Sequence, residues 1–232
     1  MREVIQSGVV LEYDELRMLL QSQGVKTFLC FTMDEKQLSD AEVILNIHSL
    51  VEKELITYSC LKNGFVPCGL LQEFLRIVKK TEKTLVIQRK MREYPVVFIY
   101  QFRDKCAMVE SLLCKKNALK ISIQNSKKLF QLLQISGYLP GKNQILTSAE
   151  AVLADEMIRS GLTDLSEVFH ISIYDADQET VSKDIVLYEK GIYWYMQTEG
   201  ENLDRFESLT EEAMKSIRDE LEVGESYDIG GY

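Results

Sequence analysis

No run of apolar residues in this sequence approaches the length a membrane-spanning helix requires, and Met1-Arg2-Glu3 leads into no signal-peptide segment. A cytoplasmic protein without membrane insertion is the expectation. The five cysteines (Cys30, Cys60, Cys68, Cys106 and Cys114) are odd in number and form no CxxC pair, so disulfides, zinc ligation and CxxC redox chemistry are not expected. Only His48 and His170 could act as bases near neutral pH, and each is placed like a core or strand residue. GxSxG, GxxxxGK[ST], HExxH and GxGxxG are all absent. These absences remove the common hydrolase, transferase and nucleotide-binding classes, and the chain reads as a non-enzyme with no cofactor and no catalytic residue.

The chain is long enough, at 232 residues, to bury a core without staples. Its net charge of −9 is unevenly divided: from Ser148 onward 6 basic residues face 21 acidic ones, a balance of −15, while the preceding part carries +6. An acidic end repels nucleic acid and anionic membranes.

Ser39-Asp40-Ala41-Glu42 has the spacing of a capping box, so a helix starts there. Ala41, Ile44, Leu45, His48 and Val51 form one stripe on it and Val43, Ile47 and Leu50 a second, which predicts a helix packed on two sides. Before it, a strand at Val9-Val10-Leu11 leads into a helix from Tyr13 that ends at Gln23-Gly24, and Phe28 to Phe31 reads as a strand or a buried segment. After it, Leu55 to Tyr58 and Phe65 to Pro67 read as a hairpin around Lys62-Asn63-Gly64, followed by an amphipathic helix from Leu70 to Val78. Strands at 84–88, 96–102, 107–113 and 119–123 make an antiparallel meander, although 107–113 also suits a helix. A helix capped by Asn125 or Ser126 ends at Gly137.

Tyr138-Leu139-Pro140-Gly141-Lys142-Asn143 has linker composition, and divides the chain into subdomains at 1–142 and 143–232. The second part runs as a helix capped by Ser148, strands at 168–174, 184–189 and 192–196, and a helix from Thr210 to Leu221. The glycine-rich end from Gly224 to Gly231 reads as a mobile tail. The fold class is therefore α+β: antiparallel sheets flanked by helices, in two pseudo-repeated helix-strands-helix halves whose sheets could join into one.

Three stretches invite a functional reading. Asp175 to Glu179 resembles a calcium loop but lacks the glycine and terminal glutamate, so a solvated hairpin is expected. Arg76, Lys79, Lys80, Lys83, Arg89, Lys90 and Arg92 form a basic run; with a capped helix and a hairpin this allows a winged-helix nucleic-acid binder, but nucleic acid is disfavoured because the basic residues are not on the capped helix. In Ile192-Tyr193-Trp194-Tyr195-Met196, strand alternation sets Tyr193 and Tyr195 opposite Ile192, Trp194 and Met196. One face is core; the tyrosines are either packed too or available as a partner-binding pair.

The order of these signals resembles the EspG family of type VII secretion chaperones. The resemblance lies in the helix at Glu15-Leu16-Arg17-Met18-Leu19-Leu20 ending near Gly24, the helix from Ser39 to Lys53 with a strand at Leu55, the run of strands, and the helix ending at Gly137-Tyr138-Leu139-Pro140. It implies a central antiparallel sheet with two quasi-similar halves. It also implies a bacterial, cytosolic, non-enzymatic adaptor whose partner is a helical secretion substrate. A toxin-neutralising immunity protein is a further alternative, suggested by the acidic second part.

Overall fold

A computed structural model describes residues 8–30, 38–115, 117–161, 164–176, 179–200 and 205–222. The expected tail from Gly224 and part of the Asp175–Glu179 loop lie outside them. The first half contains β1 (Val9–Glu12), α1 (Tyr13–Ser22), α2 (Asp40–Glu52), the hairpin β2 (Ile56–Ser59) and β3 (Gly64–Pro67), and α3 (Gly69–Lys79). The meander β4 (Lys83–Arg89), β5 (Val97–Phe102), β6 (Lys105–Ser111), β7 (Ala118–Asn125) follows, then α4 (Leu129–Ser136). The second half contains α5 (Ser148–Arg159), β8 (Ser166–Asp175), β9 (Val181–Lys190), β10 (Tyr193–Gly200), β11 (Arg205–Ser208) and α6 (Glu211–Leu221).

Local chemistry sets these boundaries. The Ser39 hydroxyl accepts the Glu42 amide at 3.4 Å and the Glu42 carboxylate takes the Ser39 amide at 2.8 Å, a complete capping box for α2. The same device opens α5 one residue before the expected cap, with Thr147 and Glu150 in the roles. Gly137 ends α4 in the left-handed region at φ 80°, where a Cβ would also meet the Arg89 guanidinium at 3.0 Å. Of the segment 107–113, ambiguous by pattern, residues 107–111 are strand because β5 and β7 hydrogen-bond β6 on both sides, while 112 and 113 lie beyond its end. Phe28 is buried as expected, but in an irregular segment, stacked on Tyr100 with centroids 5.0 Å apart.

Among the described residues nine strands form one antiparallel sheet in the order β1-β7-β6-β5-β4-β8-β9-β10-β11. The two halves meet where β4 pairs with β8, from Lys83 opposite Asp175 to Arg89 opposite Phe169. On one face α4 and α6 cover Leu85, Ile99, Phe169, Ile171, Trp194 and Met196, residues of both halves in one continuous core. On the other face two separate clusters form: α1, α2 and α3 over β5, β6 and β7, and α5 over β10 and β11.

Two expectations need correction. The start of the stretch with linker composition is packed: Tyr138, Leu139 and Pro140 are buried, and the Tyr138 hydroxyl donates to the Pro95 carbonyl at 2.6 Å. Ile192 does not share the core face with Trp194 and Met196, because it sits in the turn before β10 and is exposed.

Candidate binding surfaces

Helix α2 is fixed to α1 by a buried carboxylate. Glu15 accepts from Lys53 at 2.6 Å, from Ser49 at 2.6 Å and from the Glu12 amide at 2.8 Å. Leu50 is fully buried and Ile47 packs beside it, so the stripe of Val43, Ile47 and Leu50 is the one turned inward. The other stripe is not packed. Ala41, Ile44, Leu45, His48 and Val51 are all exposed, with Ile44 at 65% and Leu45 at 69%. A helix apolar on two faces is covered by the described residues on only one, which overturns the expectation that both are core. His48 likewise stands at the surface, 3.6 Å from Glu52, rather than in the core.

The tyrosine pair lies under α5. Tyr195 has no exposed surface, stacks on Phe206 with centroids 5.7 Å apart, and directs its hydroxyl to the Met157 sulfur at 3.8 Å. Tyr193 is half-buried against the same cluster. An exposed tyrosine platform is therefore not what this conformation presents. Ala154 is the buried residue of α5 over β10 and β11, while Val152 and Leu153 face outward at 59% and 50% exposure.

The basic run does not form one surface. Arg76 pairs with Glu73 at 2.6 Å, Lys83 with Glu220 at 3.6 Å, and Lys90 with Glu167 at 3.2 Å. Arg89 lies 4.2 Å over the Tyr94 ring and donates to the Gly137 carbonyl at 2.7 Å. Strand alternation and helix pitch spread the run over both faces of the sheet, which removes the geometric basis for a nucleic-acid stripe.

His170 belongs to the most catalytic-looking group. Its Nε2 is 2.9 Å from Asp184 Oδ1, and the Ser172 hydroxyl donates to the same oxygen at 2.6 Å. A nucleophilic serine needs the imidazole as its proton acceptor, with the carboxylate behind the imidazole. Here the carboxylate stands between the two. The arrangement stitches β8 to β9 and does not activate Ser172. Burial pushes the Cys30 thiol up, and the Cys106 thiol up to about 12, so neither is a poised thiolate. Among the described residues no group of three or more His, Cys, Asp or Glu side chains could hold a metal ion. No helix among them is long and apolar enough to cross a membrane.

What these elements define is an α+β protein built on a nine-stranded antiparallel sheet, with an exposed apolar stripe along α2. No protein family and no curated protein matches the sequence. Among solved structures the chain is similar to the Mycobacterium tuberculosis type VII secretion system chaperone EspG5, determined in complex with a PE25–PPE41 dimer. Identity is 9%, the TM-score is 0.48, and the match covers 94% of this chain and 98% of that one.

Proposed function

We propose that this chain is a non-enzymatic cytoplasmic chaperone or adaptor that holds a helical segment of a protein partner, with a type VII secretion substrate as the partner class. The observation that carries the reading is the uncovered stripe on α2. Ala41, Ile44, Leu45, His48 and Val51 recur at helical spacing on a helix whose opposite side is anchored in the core. That spacing suits ridge-into-groove packing against another helix. Covering Ile44 and Leu45 contributes on the order of 1.5 to 3 kcal/mol each. An interface of ordinary size covers roughly 800 Å² on each partner, and Val152 and Leu153 on α5 offer a second apolar step. Contact by Tyr193 and Tyr195 belongs to the same proposal, in a form where the partner lifts α5 from them.

The test is capture from the native host, read by mass spectrometry, with the chain and its Ile44→Ser/Leu45→Ser variant. Both side chains are exposed, so the variant keeps its fold and melts within a few degrees of the parent. A helical secretion substrate recovered by the parent and lost by the variant is the expected result. Equal recovery by both would move the binding surface off α2, and recovery of no secretion substrate would remove the chaperone reading.

A further inference from the structure

A second surface, away from the α2 stripe, lies between the hairpin and α3. It is a groove of about 470 Å³ with β3 along one wall and α3 along the other. Four cationic side chains line it, Lys62 from the hairpin turn and Arg76, Lys79 and Lys80 from α3, and no acidic residue does. Arg76 is tied to Glu73 and Lys80 lies 5.8 Å over the Phe102 ring, but Lys62 and Lys79 have no ion-pair partner among the described residues. The groove thus presents positive charge that the described residues do not neutralise.

Its other wall is an open strand edge. The Cys68 amide donates to the Leu55 carbonyl at 3.0 Å, which makes that pair a hydrogen-bonded one in the β2–β3 register. Alternation then makes Thr57 with Val66 and Ser59 with Gly64 hydrogen-bonded pairs, and Ile56 with Pro67 and Tyr58 with Phe65 the intervening ones. Two features agree with this phase. Pro67, which has no amide hydrogen, occupies a position where none is needed toward β2. Tyr58 and Phe65 meet edge to face at 5.6 Å, the closer side-chain approach of a non-hydrogen-bonded pair. The Phe65 amide and carbonyl and the Pro67 carbonyl therefore point away from β2, and among the described residues β3 pairs with no other strand.

We propose that this groove binds an extended acidic segment of a partner protein, which adds to β3 as a third strand while its carboxylates meet Lys62, Lys79 and their neighbours. The Phe65 amide and carbonyl supply the main-chain pairing, and the half-exposed Phe65 ring and Pro67 supply apolar contact for alternate side chains of the segment. The cations set the sign of the ligand and speed its arrival. This surface does not rest on the chaperone reading, since α2 takes no part in it.

The experiment uses the full chain and fluorescein-labelled Val-Glu-Val-Glu-Val-Glu, followed by fluorescence anisotropy at low and at physiological salt. The expected result is saturable binding that weakens with salt. It falls at least tenfold in Lys62→Glu/Lys79→Glu and at least tenfold for the same peptide N-methylated at alternate amides, and it is unchanged in Ile44→Ser/Leu45→Ser. Lys62 and Lys79 are exposed, and circular dichroism confirms that the variant is folded. Absence of saturable binding at low salt overturns the proposal. So does binding indifferent to N-methylation, or tighter binding of a single-stranded oligonucleotide than of the peptide, since either describes a general polyanion surface and not strand addition.

Discussion

Glu220, near the end of α6, faces two lysines from different strands: Lys183 of β9 at 2.5 Å and Lys83 of β4 at 3.6 Å, with Lys83 also donating to the Glu220 backbone carbonyl. Burial pushes the Glu220 carboxyl up, but hydrogen bonding and charge from Lys183 and Lys83 outweigh it and hold the group below its ordinary value of 4.5. A carboxyl depressed in the folded state stabilises the fold above its unfolded pKa, and that contribution disappears as the pH falls through the folded value. Glu220→Gln should therefore melt earlier than the parent at pH 7, with the gap closing as the pH falls below about 4.5. Melting both proteins between pH 7 and 3 checks this. A gap that stays constant would assign the role of Glu220 to shape and not to charge. The side chain is about one-third exposed, so the neutral-pH gap should be modest.

At the scale of elements, α5 and the strands beneath it decide what the aromatic segment of β10 is for. Trp194 and Met196 pack into the core shared with α4 and α6, and Tyr195 packs on the opposite face, so both faces of this strand are filled. Removing the Tyr195 ring leaves a cavity between α5, β10 and Phe206 and should cost roughly 3 to 5 kcal/mol. For a chain of this length that lowers the melting temperature by roughly 10 °C, whereas Tyr193→Ala, at a half-buried site, should cost clearly less. Thermal denaturation of the two single variants separates them. A Tyr195→Ala protein that melts like the parent would show that α5 rests only loosely on the strand.

The elements themselves were legible because their signals are local: the Ser39–Glu42 box, the Asn63-Gly64 turn and the left-handed stop at Gly137 each depend on residues a few positions apart. What failed depended on distance along the chain. Nothing near Ile44 or Leu45 tells that no other described element covers them, and nothing near Tyr138 announces a hydrogen bond to Pro95. β11 was missed for a different reason: its four residues carry one apolar side chain, too few to show alternation, and it exists because β10 offers it an edge.

At the scale of the molecule, the question is whether the two halves are independent. Their opposite charges are partly joined across the seam, since Lys90 and Lys83 of the basic half meet Glu167 and Glu220 of the acidic half. More decisive is that the sheet is continuous through β4 and β8, and that Leu85, Ile87 and Ile99 from one half share a core with Phe169, Ile171 and Trp194 from the other. Separating the halves would strip a central strand of its ladder on one side and expose that core, so neither half has a complete apolar face of its own. Unfolding should therefore proceed as one cooperative transition. The single tryptophan makes the test direct: Trp194 lies in the second half, so its fluorescence follows that half, while far-ultraviolet circular dichroism follows the whole chain. The two curves should coincide in urea, and the calorimetric enthalpy should equal the van't Hoff enthalpy. If the fluorescence change precedes the loss of circular dichroism, the second half opens first and the β4–β8 seam is a boundary between units that melt separately.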